Sequence, residues 1–199
     1  MAIRGTSTRC GLAALVLAPL LAAQGGPGPH APPAPVPSDL LDQLVGVWDI
    51  TGMAGPRPVH EHANVEWVLE HQFLMIHRKQ IDGPDEAVLH IGFDETLKRF
   101  VQFRLDTNGA RGAETPAYGL QKGDNKLEFT FDYPMSLFRE TWTWDAKEKT
   151  WQVLSEKGPK NSKGAPTYSP VSTMTWRRLQ GGRGGPRGPF PPPHPPSPQ

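Results

Sequence analysis

From Val45 to Arg178 the apolar residues recur at every second position, and short clusters of turn formers interrupt them. On a pleated strand, residues i and i+2 share a face, so each such segment buries one side and wets the other. The fold class this predicts is all-β. Ten strands are expected: Val45–Thr51, His60–Leu69, Phe73–Ile81, Ala87–Phe93, Arg99–Asp106, Ala113–Leu120, Lys126–Tyr133, Leu137–Trp144, Thr150–Glu156 and Val171–Arg178. Asp82-Gly83-Pro84-Asp85, Asn108-Gly109 and Gly123-Asp124-Asn125 are tight-turn sequences. Pro116 pushes the sixth strand toward an edge or a bulge, because proline cannot donate to a ladder. Short strands joined by tight turns make an antiparallel meander. A sheet of about ten such strands curls and closes, which removes its edges. The expectation is an up-and-down β-barrel; a two-sheet sandwich has the same period. Ser38 is a good N-cap, and Leu40, Leu41 and Leu44 follow at helical spacing, so a short helix leads into the first strand.

That strand opens with Gly46-Val47-Trp48. Glycine permits a tight approach, and the indole can plug one end of a barrel. Many calycin-type barrels begin this way. Leu44-Val45-Gly46-Val47-Trp48, then Val65-Glu66-Trp67-Val68-Leu69 running into Phe73-Leu74, then Ile91-Gly92-Phe93-Asp94 with Lys98-Arg99-Phe100-Val101, resembles the uncharacterised lipocalin-like (calycin) family called domain of unknown function 1579. The likeness runs from about Leu44 to Leu179. Glu70-His71-Gln72 stands where that family has Gly-Gly-Arg. The resemblance implies a calycin-like barrel and carries no catalytic residue with it.

The ends differ from the body. Residues 1–24 combine Arg4 and Arg9 with an apolar run closed by Ala22 and Ala23, the build of a secretory signal peptide. The run is shorter than a spanning helix and contains Pro19, so no integral membrane segment is expected after cleavage. Cys10 is the only cysteine and leaves with the signal, so no disulfide and no cysteine catalysis are expected. The expected location is exported, periplasmic or extracellular. Residues 25–37 form a Gly/Pro-rich linker, and residues 180–199 a Gly/Arg-rich then Pro-rich disordered tail that can act as a spacer or dock a partner. Residues 38–179 are one barrel domain. Of 21 basic residues, removal of Arg4 and Arg9 leaves 19 against 20 acidic ones, so no nucleic-acid partner is indicated.

Few constellations in the body carry chemistry. His60-x-His62 with Glu66 on the same strand face resembles the first metal motif of cupins. Phe73 stands where that motif has its closing glycine, and no histidine follows between His90 and His194 to supply its later ligand. The opposite face holds Ala63, Val65, Trp67 and Leu69, so His60, His62, Asn64 and Glu66 read as the wet face and no metal is expected. His77 and His90 invite comparison with haem barrels of the nitrobindin type. The last strand carries Met174 and no histidine, so no cofactor is expected. Phe138, Glu140, Trp142 and Trp144 share one face of the eighth strand, and Arg139, Thr141 and Thr143 the other. If the aromatic face points inward, Glu140 is a carboxylate in an aromatic wall, suited to a cationic or hydroxyl-bearing ligand or to general-base work. In the reverse register Arg139 faces in and suits an anion. Nucleophile elbows, phosphate loops and zinc-protease motifs are absent.

The sequence therefore points to a binding module for a small apolar or amphipathic molecule. The expected lining is Trp48, Trp67, Met75, Phe103, Phe129 and Trp142, with a polar contact from Glu140 or Arg139. An enzyme using the same cavity, with Glu140 or a histidine as acid or base, is the second reading. A filled barrel acting through its surface or tail is the third.

Overall fold

The computed structural model describes residues 34–36, 38–107, 109, 115–160 and 166–179, all within the compact unit Pro33–Gln199. The expected signal peptide, residues 1–24, and the expected tail, residues 180–199, lie outside the described residues.

Helix α1 (Asp39–Asp42) is one turn long, and the Ser38 hydroxyl accepts from the Leu41 N–H at 3.1 Å. Ten strands follow: β1 (Gly46–Ala54), β2 (Arg57–Val68), β3 (Phe73–Gln80), β4 (Glu86–Asp94), β5 (Arg99–Asp106), β6 (Ala117–Gln121), β7 (Lys126–Asp132), β8 (Ser136–Asp145), β9 (Thr150–Pro159) and β10 (Ser169–Arg178). Each pairs antiparallel with its sequence neighbours, and β1 pairs with β10 from Trp48↔Arg178 to Ala54↔Ser172. The barrel is closed, so the sandwich alternative is excluded and no strand is an edge. Pro116 does not make β6 an edge; the strand begins at the residue after it. The register irregularity occurs in β10 instead, between Pro170 and Ser172.

Alternation sorts the core. Trp48 and Ile50, Ala63 and Val65, Leu74 and Ile76, Leu89 and Ile91, Leu127 and Phe129, and Met174 and Trp176 all point inward and are buried. Four indoles pack together: Trp176 lies 6.3 Å from Trp48 and 5.1 Å from Trp142, and Trp142 lies 6.5 Å from Trp151. Leu40, Leu41 and Leu44 are buried with this cluster, and the Trp48 indole N–H donates to the Leu44 carbonyl at 2.6 Å. The helix and the tryptophans thus stopper the end of the barrel where β1 begins. Ala34–Val36, at the close of the Pro/Gly-rich stretch, joins that end. Val36 is buried, and its N–H donates to the His71 carbonyl at 3.1 Å. The linker composition gave no sign of this contact, because Val36 is an isolated apolar residue among prolines.

Gly46 and Gly119 are required by close approach. Gly46 has φ of +137°, and a Cβ there would meet the Arg178 guanidinium. A Cβ on Gly119 would lie 2.5 Å from the Phe129 ring, which therefore packs directly against β6.

Candidate functional site

Among the described residues, nothing stoppers the other end of the barrel. A cavity of about 370 Å³ opens there, lined from β5, β7, β8, β9 and β10. Its aromatic wall is Phe131, Tyr133 and Phe138. The Phe131 and Tyr133 rings are parallel with centroids 6.1 Å apart, and Phe138 meets Tyr133 edge-on at 5.4 Å and 87°. Ser155, Ser172 and Val171 complete the β9–β10 side, and Arg104 enters from β5.

Glu140 projects into this space from β8. Alternation explains why: Trp142, two residues on, is committed to the indole cluster, so Glu140 and Phe138 face the same way. The Trp142 indole N–H donates to the Glu140 carboxylate at 3.3 Å. The other inward carboxylates have cationic partners. Glu61 pairs with Arg78 at 2.6 Å, with both side chains mostly buried, and Asp106 lies 3.3 Å from Arg104. Among the described residues, Glu140 is the inward carboxylate without an ion pair. The Gln102 amide, also inward and 1% exposed, has neither its oxygen nor its nitrogen hydrogen-bonded. A buried polar group left so costs on the order of 1–3 kcal/mol. The barrel interior thus combines apolar rings with unspent polar capacity, the usual make-up of a small-molecule site.

A smaller polar recess of about 110 Å³ shares Arg104 and adds Glu61, Arg78 and Asp106. A larger cleft of about 590 Å³ lies at the stoppered end, where α1 meets the β8–β9 turn. There the Gln43 carbonyl accepts from Arg178 and Trp151, so that carbonyl and that guanidinium serve the plug.

The expected lining residues scatter. Glu140 lines the cavity, and Trp142 holds it from below. Phe129 is fully buried beside them, opposite Glu140 on β7. Trp48 belongs to the plug, and so does Trp67, whose N–H donates to Asp42 at 2.8 Å and whose ring stacks on His71. Met75 and Phe103 lie on the outer face, because Leu74 and Ile76 on β3 and Phe100 and Gln102 on β5 take the inward positions. Phe103 is 42% exposed. Arg139 also faces out. It pairs with Glu156 at 2.8 Å, and its guanidinium lies 4.1 Å from the Tyr168 ring centroid. The register that puts Arg139 on an anionic ligand does not occur. Phe131, Tyr133, Phe138 and Arg104 were missed as lining. Phe138 was legible as the face-mate of Glu140; Arg104 was not, because the strand assignment alone does not choose between it and Phe103.

His77 and His90 lie on outer faces, with His77 bonded to Glu86 at 2.5 Å. No helix among the described residues is long and apolar enough to cross a membrane.

No family model matches the chain, and no curated protein matches it. Among solved structures it is similar to an S-type phycobiliprotein lyase from Guillardia theta, at 13% identity and a TM-score of 0.45, over 70% of this chain and 90% of that one.

Proposed function

We propose that this chain is a binding protein that takes a small amphipathic molecule into the open end of its barrel. The apolar part lies against Phe131, Tyr133 and Phe138, and a hydrogen-bond-donating end, hydroxyl or amine, meets Glu140. One observation carries this reading: an inward carboxylate without an ion pair among the described residues, set in an aromatic wall beside a cavity large enough for a small ligand. The arginine at the mouth does not argue for an anion, since Asp106 stands beside it.

The test is native mass spectrometry and tryptophan fluorescence with dodecylamine, dodecanol and dodecanoate. The amine and the alcohol are expected to form adducts, the carboxylate to bind at least tenfold more weakly, and Glu140→Leu to abolish the preference. No adduct and no fluorescence change with any of the three removes the reading.

We also propose that the chain is exported, that residues 1–24 are removed, and that it belongs with the lipocalin-like family its Gly46-x-Trp48 and Val65–Leu74 segments resemble. The charged start, apolar run and small residues before Gln24 support export. The intact mass of protein recovered from the cell envelope or medium tests cleavage, and an uncleaved chain recovered from the cytosol counts against it.

A further inference from the structure

The outer face of the β1–β2 hairpin carries a second constellation, away from the barrel cavity. Asp49 lies opposite His62 in the ladder, and Thr51 opposite His60. All three charged or imidazole side chains point outward, since Trp48, Ile50 and Ala63 take the inward positions. The Asp49 carboxylate oxygen Oδ1 lies 2.7 Å from His60 Nε2 and 3.6 Å from His62 Nε2. One ligand atom from each residue falls within a sphere of contacts no longer than 4.8 Å. The sequence shows only the His-x-His half of this and pairs it with Glu66. The strand pairing supplies Asp49 instead, from 11 residues before His60.

From these distances we propose that Asp49, His60 and His62 bind one first-row divalent ion such as Zn²⁺. Tetrahedral zinc holds nitrogen and oxygen ligands at about 2.0–2.2 Å, which spaces the ligand atoms roughly 3.3 Å apart. The 3.6 Å spacing lies near that value, the 2.7 Å hydrogen bond would open by about half an ångström to admit the ion, and the third spacing is no longer than 4.8 Å; both rings are about half exposed. Two imidazoles with one carboxylate select zinc, copper or nickel over magnesium or calcium, which want oxygen ligands. The neighbouring cations leave the carboxylate available. Lys79, opposite His62 on β3, leans toward Glu86 at 3.9 Å, and Asp49 contacts the imidazoles rather than Arg177, its partner across β10. Two protein strands and three ligands leave a fourth position to water. The ion would staple the hairpin whose other face forms the barrel wall.

Isothermal titration of the full mature chain with Zn²⁺ tests this, with Mg²⁺ as the contrast. One Zn²⁺ per chain with micromolar affinity is expected, and Asp49→Asn and His62→Gln are each expected to weaken it at least tenfold. His90→Gln, on another outer face, is expected to leave it unchanged. Copper EPR is expected to show hyperfine coupling from two imidazole nitrogens, reduced to one in His62→Gln. Because all three side chains are at the surface, the variants are expected to keep the parent circular dichroism. Binding weaker than millimolar, or tight binding indifferent to Asp49→Asn and His62→Gln but lost in His30→Gln or His194→Gln, overturns the proposal. In the first case His60 and Asp49 form a hydrogen-bonded pair only.

Discussion

The guanidinium of Arg178, on the last strand, lies 4.5 Å from the ring centroid of Trp48, on the first. It also donates to the Val45 and Gln43 carbonyls at 2.5 and 2.9 Å. One side chain therefore latches the strands that close the barrel, caps the indole and satisfies two carbonyls at the end of the plug. Gly46 is the third part of the latch, since a Cβ there would occupy the guanidinium's place. This gives the Gly-x-Trp opening a physical reason that lies more than a hundred residues away in the chain. Arg178→Met is expected to lose the cation–π contact and two charge-assisted hydrogen bonds, about 2–3 kcal/mol in all. Urea unfolding followed by tryptophan fluorescence reads it, and a loss below about 0.5 kcal/mol means the latch is ornamental.

Phe129 and Phe103 show how far the sequence goes. Both are rings on strands with clear alternation, and both were expected to line the interior. Phe129 is fully buried; Phe103 is 42% exposed. Strand existence, most turn positions and the short helix were legible, because period, Gly/Asn turns and a Ser cap are local signals; the Asn108-Gly109 signal falls in a longer connection, from Thr107 to Pro116, that lies partly outside the described residues. Facing was not legible on β5. Arg99, Val101, Phe103 and Leu105 alternate with Phe100, Gln102, Arg104 and Asp106, and the more polar set goes inside. The inward side of β5 is mostly polar although the core is apolar elsewhere, so hydrophobicity alone misassigns its face. Phe129→Ala is expected to cost about 3–5 kcal/mol and Phe103→Ser less than about 0.5 kcal/mol, by urea midpoints.

The β2–β3 turn carries a cost that the sequence announces. Leu69, Glu70 and His71 have φ of 50°, 55° and 66°, the left-handed region that non-glycine residues avoid. Glu70 and His71 occupy the positions where the resembled family has glycines. His71 recovers part of the cost by stacking on Trp67 at 4.7 Å; the Glu70 side chain is exposed and has no such compensation. Glu70→Gly is expected to stabilise the protein by about 0.5–1 kcal/mol, the left-handed penalty less the extra chain entropy of glycine. A lower melting temperature in that variant would contradict the turn geometry.

Glu61 and Arg78 are joined inside the barrel with 16% and 15% of their side chains exposed. Removing one partner strands a charge in a poorly solvated place. Arg78→Met is expected to cost about 2–4 kcal/mol, whereas Glu61→Leu with Arg78→Met together is expected to cost far less than the sum. Arg78 also lies 5.7 Å from the Trp176 ring, so some of its loss persists in the double variant. Additive losses in the double-mutant cycle show that the pair is not coupled.

Acid is expected to weaken a contact on the outer face, at Glu86. The hydrogen bond from His77 holds its carboxyl below the ordinary value of 4.5; slight desolvation opposes this, and the charges of His77 and Lys79 add to the lowering. A carboxyl whose pKa is lower folded than unfolded stabilises the fold above its unfolded pKa. That contribution is lost as pH falls through the folded value, because both states then bind the proton. The group is exposed, so the effect is small and screened by salt. Urea midpoints of the parent and Glu86→Gln are therefore expected to differ most above pH 4.5 and to converge below it, and the gap is expected to shrink in 1 M salt. Curves that stay parallel into acid show that the His77–Glu86 contact contributes nothing to folding.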